Sequence, residues 1–93
     1  MGHKFLVHAP GDSVGVAVEP ILAGETVQGV VLEDNSTTTI TARDGIPLGH
    51  KIALVTLSAG DSVIKYGESI GRAVAAIVPG QHLHVHNVKS ARW

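Results

Sequence analysis

An all-β domain of short, irregular strands is the fold class that this sequence predicts, and three observations carry the prediction. The chain is rich in Val, Ile, Ala and Gly but holds only three aromatic residues, Phe5, Tyr66 and Trp93, so its core must be aliphatic. A pattern of apolar residue, two residues, Gly, two residues, apolar residue recurs along the chain. It runs from Ile21 to Val27 around Gly24, Ile46 to Ile52 around Gly49, Leu57 to Val63 around Gly60, Ile64 to Ile70 around Gly67 and Ile77 to Leu83 around Gly80. No window carries a convincing apolar stripe at helical spacing.

Each copy of the pattern reads as a strand, a turn and the next strand. Glycine accepts positive φ at the turn, and the flanking aliphatics can both fall back on the core. The copies are irregularly spaced, which argues against a solenoid. In chain order the expected strands are Lys4 to His8, Ser13 to Glu19, Val27 to Leu32, Ser36 to Ala42, Lys51 to Leu57, Ile70 to Ile77 and Leu83 to Val88. Glu33-Asp34-Asn35 is a hairpin signal between the third and fourth. Pro20 to Ala23 has room for one helical turn.

A chain of 93 residues without a linker or low-complexity segment predicts one domain, 1–93, with a modest core. That is small for a self-contained enzyme with a deep pocket, so a partner is expected. Seven Lys plus Arg against eight Asp plus Glu, dispersed along the chain, give no electrostatic support for nucleic-acid binding. The absence of Cys excludes disulfides, thiolate zinc sites, iron–sulfur clusters and a cysteine nucleophile. The N-terminus lacks the apolar run of a signal peptide, and Leu6 stands where a myristoylation signal has Ser or Thr. A cytoplasmic protein with no membrane attachment is the expectation.

Chemistry concentrates in Gln81-His82-Leu83-His84-Val85-His86-Asn87, which holds three of the six histidines. On an extended strand, His82, His84 and His86 share one face while Leu83 and Val85 take the other. Histidine is the commonest metal ligand and titrates near neutral pH, so such a row suggests metal or proton chemistry. Along an extended strand His82 and His86 would lie about 13 Å apart, against metal–nitrogen bonds of about 2.0–2.1 Å, so one ion would not meet all three. An adjacent pair could chelate, with the remaining ligands from elsewhere in the fold, a partner chain or substrate. The competing account is a row of solvated residues that discourages strand addition at a sheet edge.

Three further stretches compete for a role. His50 and Lys51 directly follow the Pro47-Leu48-Gly49 turn, which makes His50 a candidate ligand or proton carrier; the alternative is an exposed turn. Lys65-Tyr66-Gly67 pairs a cation with an aromatic that is more apt to pack than to react. His8 and Asp12 flank Ala9-Pro10-Gly11, where a carboxylate that stabilises the turn is the simpler account. Phosphate-binding loops, dinucleotide fingerprints, Gly-x-Ser-x-Gly elbows and His-Glu-x-x-His helices are absent.

Four segments occur in order that together resemble the small domain of the altronate and galactarate dehydratase family. They are Gly11-Asp12-Ser13-Val14-Gly15-Val16-Ala17-Val18, Ile46-Pro47-Leu48-Gly49-His50-Lys51-Ile52-Ala53-Leu54, Ile64-Lys65-Tyr66-Gly67-Glu68-Ser69-Ile70-Gly71 and His82-Leu83-His84-Val85-His86-Asn87. The likeness runs from about Phe5 to Trp93, and the ending from His86 to Trp93 is most similar to the sulfite-releasing branch. It implies a β-clip (SAF-like) fold and a separate small subunit working with a large lyase subunit. The implied reaction eliminates sulfite, or water, from a small anionic 2-hydroxy acid, with a divalent metal, iron(II), as cofactor. Implied roles are metal binding at His84 and His86, catalysis at His50 and Lys51, and substrate binding at Lys65 and Asn87. Alternatives are the corresponding domain of a sugar-acid dehydratase, a stand-alone β-clip ligand-binding module and a purely structural interaction domain; a homo-oligomer is compatible with each.

Overall fold

The computed structural model describes residues 2–84 and 86–90. Nine strands follow one another: β1 (Phe5–Val7), β2 (Val14–Ala17), β3 (Thr26–Val31), β4 (Thr37–Thr41), β5 (Lys51–Ala53), β6 (Ser62–Lys65), β7 (Glu68–Ala73), β8 (His82–Leu83) and β9 (Val88–Ser90). Six form one sheet in the order β4-β3-β1-β2-β5-β8, and three form a second in the order β6-β7-β9. All pairings are antiparallel except β1 with β3. The fold is all-β, as the composition predicts.

The recurring glycine pattern explains how so short a chain turns so often. Gly24, Gly49, Gly60, Gly67 and Gly80 all have φ between +73° and +92°. Four of the five make one further arrangement. The N–H groups of Gly24, Gly49, Gly60 and Gly80 donate to the carbonyls of Ala42, Ala17, Ala73 and Ala53, and each alanine N–H donates back to the residue after the glycine. All four alanines are buried. Gly80 shows why no side chain is tolerated: a Cβ there would strike the Thr41 carbonyl oxygen. The motif's apolar ends also pair, through isolated bridges Ile21 to Ile46 and Leu57 to Ile77. Because Ile21 is spent in such a bridge, Pro20 to Ala23 forms no helical turn.

Two apolar clusters result. One surrounds Phe5 and includes Val7, Ile21, Val27, Ile46 and Ile52; the other includes Val14, Leu57, Val63, Ile77 and Leu83. Glu33-Asp34-Asn35 turns as expected between β3 and β4, with Asn35 at φ 59° and Asp34 accepting from the N–H and hydroxyl of Ser36. Several expected strands are shorter than the sequence suggests: β2 stops at Ala17, β5 at Ala53 and β7 at Ala73. In each case the terminal alanine is the one that locks onto a glycine turn. β6 and β9 were not expected as strands, and Leu83 to Val88 is not one continuous strand.

Glu25 ties the turn after Ile21 to the start of β1, accepting from the Lys4 ammonium at 2.6 Å and from the Leu22 N–H at 3.0 Å. These bonds, the Leu22 N–H foremost, hold its pKa below the ordinary value of 4.5. A carboxylate depressed in the folded state stabilises it fully above the unfolded pKa and loses that contribution as pH falls through the folded one. Thermal melts between pH 6 and pH 3 should therefore fall less steeply for Glu25→Gln than for the parent chain. Equal slopes would show that the pair contributes nothing.

Candidate metal and anion site

β5 and β8 pair with Lys51 opposite Leu83 and Ile52 opposite His82. One step further in this register, His50 comes opposite His84, and their rings stack with centroids 4.2 Å apart at 18°. His50 Nδ1 lies 2.8 Å from His82 Nε2. His50, His82 and His84 each offer one ligand nitrogen, and the three nitrogens lie within 4.8 Å of one another. Metal–nitrogen bonds of about 2.1 Å at tetrahedral or octahedral angles need nitrogens about 3.0–3.4 Å apart, so small ring rotations suffice. With no Cys in the chain, the donor set is three imidazoles, which suits borderline divalent cations such as iron, zinc or nickel.

Charge favours metal-ready ligands. Burial, then the neighbouring His86, His50 and His84, holds the His82 pKa below its ordinary value, against a smaller opposing pull from Asp44. For His84 the causes are desolvation, then His50, Lys51 and His86. Both shifts favour the neutral imidazole, the state in which a ring nitrogen can bind a cation.

The chain reaches this arrangement by bending where an extended strand was expected. Asn87 is buried, and its side chain closes the turn: Nδ2 donates to the His82 carbonyl at 2.7 Å, and Oδ1 accepts from the His84 N–H at 3.0 Å. The backbone adds bonds from the Asn87 and Val88 N–H groups to the His84 carbonyl. His82 is held from outside as well, its N–H donating to Asp44 Oδ2 at 2.9 Å. The 13 Å separation of an extended strand consequently does not arise, and the His86 ring comes to 5.1 Å from that of His82. His86 is nevertheless outside the group whose nitrogens converge, whereas His82 is inside it. Asn87, expected to touch substrate, has both ends of its amide committed to this turn. Asn87→Ala should cost about 2 kcal/mol of stability through the groups left unpaired, and should weaken metal binding because His82 and His84 lose their mutual support. Thermal melts and metal titration check this together; a destabilised variant with unchanged metal affinity would limit Asn87 to a folding role.

Where the two sheets meet, a cavity of about 370 Å³ opens beside the histidines, lined by Lys51, Val63, Lys65, Ile70, Leu83, His84 and Val88. His84 belongs to both the cavity wall and the imidazole group. Burial, then the like charge of Lys65, holds the Lys51 pKa below its ordinary value of 10.5. Among the described residues no carboxylate lines the cavity. The structure thus places His50, Lys51, Lys65 and His84 around one locality, although they come from three segments of the chain.

Two stretches weighed in the sequence lie apart from it. Asp12 is buried and accepts from the N–H groups of Ala9, Tyr66 and Gly67, so its carboxylate ties two turns together. Tyr66 does not cap the core: it is 68% exposed at φ 62° and stacks on His8. Two residues of the locality had no assigned role from sequence: His82, weighed in the histidine row but outside the implied ligand pair, and Asp44, its support. The first was signalled by its spacing from His84; the second needed the fold.

The altronate/galactarate dehydratase SAF domain profile matches residues 3–91. Over 94 residues the chain is 45% identical to (2R)-sulfolactate sulfo-lyase subunit alpha of Chromohalobacter salexigens, covering all of both chains. It is 53% identical over 64 residues to the protein of the same name from Paracoccus pantotrophus, covering 69% of this chain and 96% of that one. Altronate dehydratase of Escherichia coli K12 is 40% identical over 79 residues, which are 85% of this chain but 15% of that enzyme. A profile match across nearly the whole chain, together with full-length identity at this level, means that the chain belongs to the altronate/galactarate dehydratase SAF domain family.

Proposed function

We propose that this chain is the small subunit of a cytoplasmic two-subunit lyase that splits (R)-sulfolactate into pyruvate and sulfite. The observation that carries the reading is the convergence of three imidazoles on the rim of a lysine-lined cavity, in a chain similar over its full length to a sulfo-lyase alpha subunit. His50, His82 and His84 hold the cation, iron(II) in this reading, which makes His50 a ligand instead of a proton carrier. When bound, a divalent cation there would withdraw charge from the substrate carboxylate and 2-hydroxyl and so acidify the adjacent C–H.

In the elimination, the C2–H bond breaks and its electron pair forms the C2=C3 double bond. The C3–S bond breaks with its pair leaving on sulfite, and the enol of pyruvate takes a proton at C3 and releases its hydroxyl proton to give the ketone. Lys51 follows His50 directly and, like Lys65, lines the cavity that His84 borders, so these lysines are the groups of this chain assigned to the charge that departs. With no carboxylate lining the cavity among the described residues, the base that takes the C2 proton is assigned to the large subunit. A cavity of about 370 Å³ suits a three-carbon acid.

The test is co-expression with a large lyase subunit, purification of the complex and anaerobic assay with iron(II). Release of sulfite and pyruvate from (R)-sulfolactate in equal amounts is expected. Loss of water from altronate without sulfite release would move the chain to the dehydratases, and failure to form any complex would leave a ligand-binding module.

A further inference from the structure

The cavity beside the histidines has a chemical bias that the lyase reading does not by itself require. Its polar lining residues are Lys51, Lys65 and His84, and the remaining wall is Val63, Ile70, Leu83 and Val88. Ammonium groups donate and never accept. Apart from His84, the charged side chains that line the pocket therefore bring donors without acceptors, beside an aliphatic surface. A hydroxyl-bearing sugar chain needs both and would press its hydroxyls against four apolar side chains, leaving two cations uncompensated. A sulfonate or sulfite presents acceptor-only oxygens and negative charge, and a methylene beside it suits the aliphatic wall.

We infer that Lys51 and Lys65 form an oxyanion pocket of this chain that grips the sulfonate of the substrate and then the released sulfite, and so set the choice of leaving group. This rests on the sulfo-lyase reading for the identity of the substrate, but not for the existence of the anion site. The orientation follows from the neighbouring imidazoles. A cation held by His50, His82 and His84 would attract the carboxylate and hydroxyl end of a 2-hydroxy acid. The sulfonate, attached to C3, then projects past His84, the one side chain common to both sites. As the C3–S bond breaks, negative charge gathers on the sulfite oxygens, where two ammonium groups stabilise it. Sulfite should accordingly compete with sulfolactate.

The experiment has two arms. In the first, the full chain is titrated anaerobically with inorganic sulfite and, separately, with glycerol, following the methyl resonances of Val63 and Ile70. Sulfite should shift them saturably and glycerol should not; Lys65→Met should weaken sulfite binding at least about tenfold, and Lys65→Arg should retain it. In the second, the complex with the large subunit should show competitive inhibition by sulfite, weakened by at least about tenfold in Lys65→Met with its metal content unchanged. Sulfite release from sulfolactate with no sulfite binding to the chain, and with inhibition untouched by Lys65→Met, would overturn the pocket while leaving the lyase reading intact. Sulfite binding that depends on Lys65, in a complex that dehydrates sugar acids only, would uphold the anion site but overturn its role in choosing the leaving group.

Discussion

His84→Ala should lower the activity of the assembled lyase by more than about a hundredfold and empty most of its metal. The effect should exceed the 10–100-fold typical of losing a partner that only supports a metal ligand. His84 is the one side chain shared by the converging imidazoles and the lysine-lined cavity, so its loss removes a donor nitrogen and part of the substrate wall. It is also exposed, so the fold should survive, and a melt close to the parent's would certify that the loss is local. His82→Ala should act similarly on metal content. His86→Ala is the discriminating control: its ring lies beside His82 but its nitrogens are outside the converging group, so metal content should stay near the parent value. Metal analysis of the purified complexes, beside sulfite release, checks all three. Retention of full metal by His84→Ala, with loss on His86→Ala, would return the ligand set to the C-terminal side of the turn.

Gly29→Ala should damage the fold strongly. Gly29 lies on β3 opposite Phe5 of β1, and a methyl group there would overlap the Phe5 ring. Gly15, on the far side in β2, leaves no room for retreat, because a Cβ there would stand 2.6 Å from the same ring. Phe5 is fully buried, so the ring cannot swing into solvent. Overpacking of this kind costs about 1–3 kcal/mol, out of roughly 5–14 kcal/mol for a domain of this size. The melting temperature should drop by about 4–24 °C. Because the cost arises from one contact, Gly29→Ala combined with Phe5→Leu should be less destabilised than the sum of the two single changes. Additive losses, or a Gly29→Ala melt within 2 °C of the parent, would sink this account.

The glycine pattern was legible because its requirement is local. Positive φ at Gly24, Gly49, Gly60, Gly67 and Gly80 follows from the residue type, and the apolar residues three positions to either side are the natural ones to bury. The strand ends were harder to read. Ala17, Ala53 and Ala73 close their strands by pairing with glycine turns far along the chain, and sequence carries no mark of those partners. The same limit applied to Asp12: its carboxylate stabilises its own turn, as expected, but also binds the Tyr66 and Gly67 N–H groups more than fifty residues away.

By itself, the sequence determined the all-β class, the turns and the residue types offered to the site: imidazoles without thiolates, and two lysines. Tertiary structure alone decided which of them meet. An alternating His-x-His-x-His row predicts a straight strand with ligands too far apart, and it is the buried Asn87 amide that folds this row back on itself. The pairing of β5 with β8 then delivers His50, more than thirty residues upstream, to within a hydrogen bond of His82. Side-chain spacing along one strand follows from backbone geometry and can be read directly. Convergence across strands depends on register, and register is set by the packing of both apolar clusters at once.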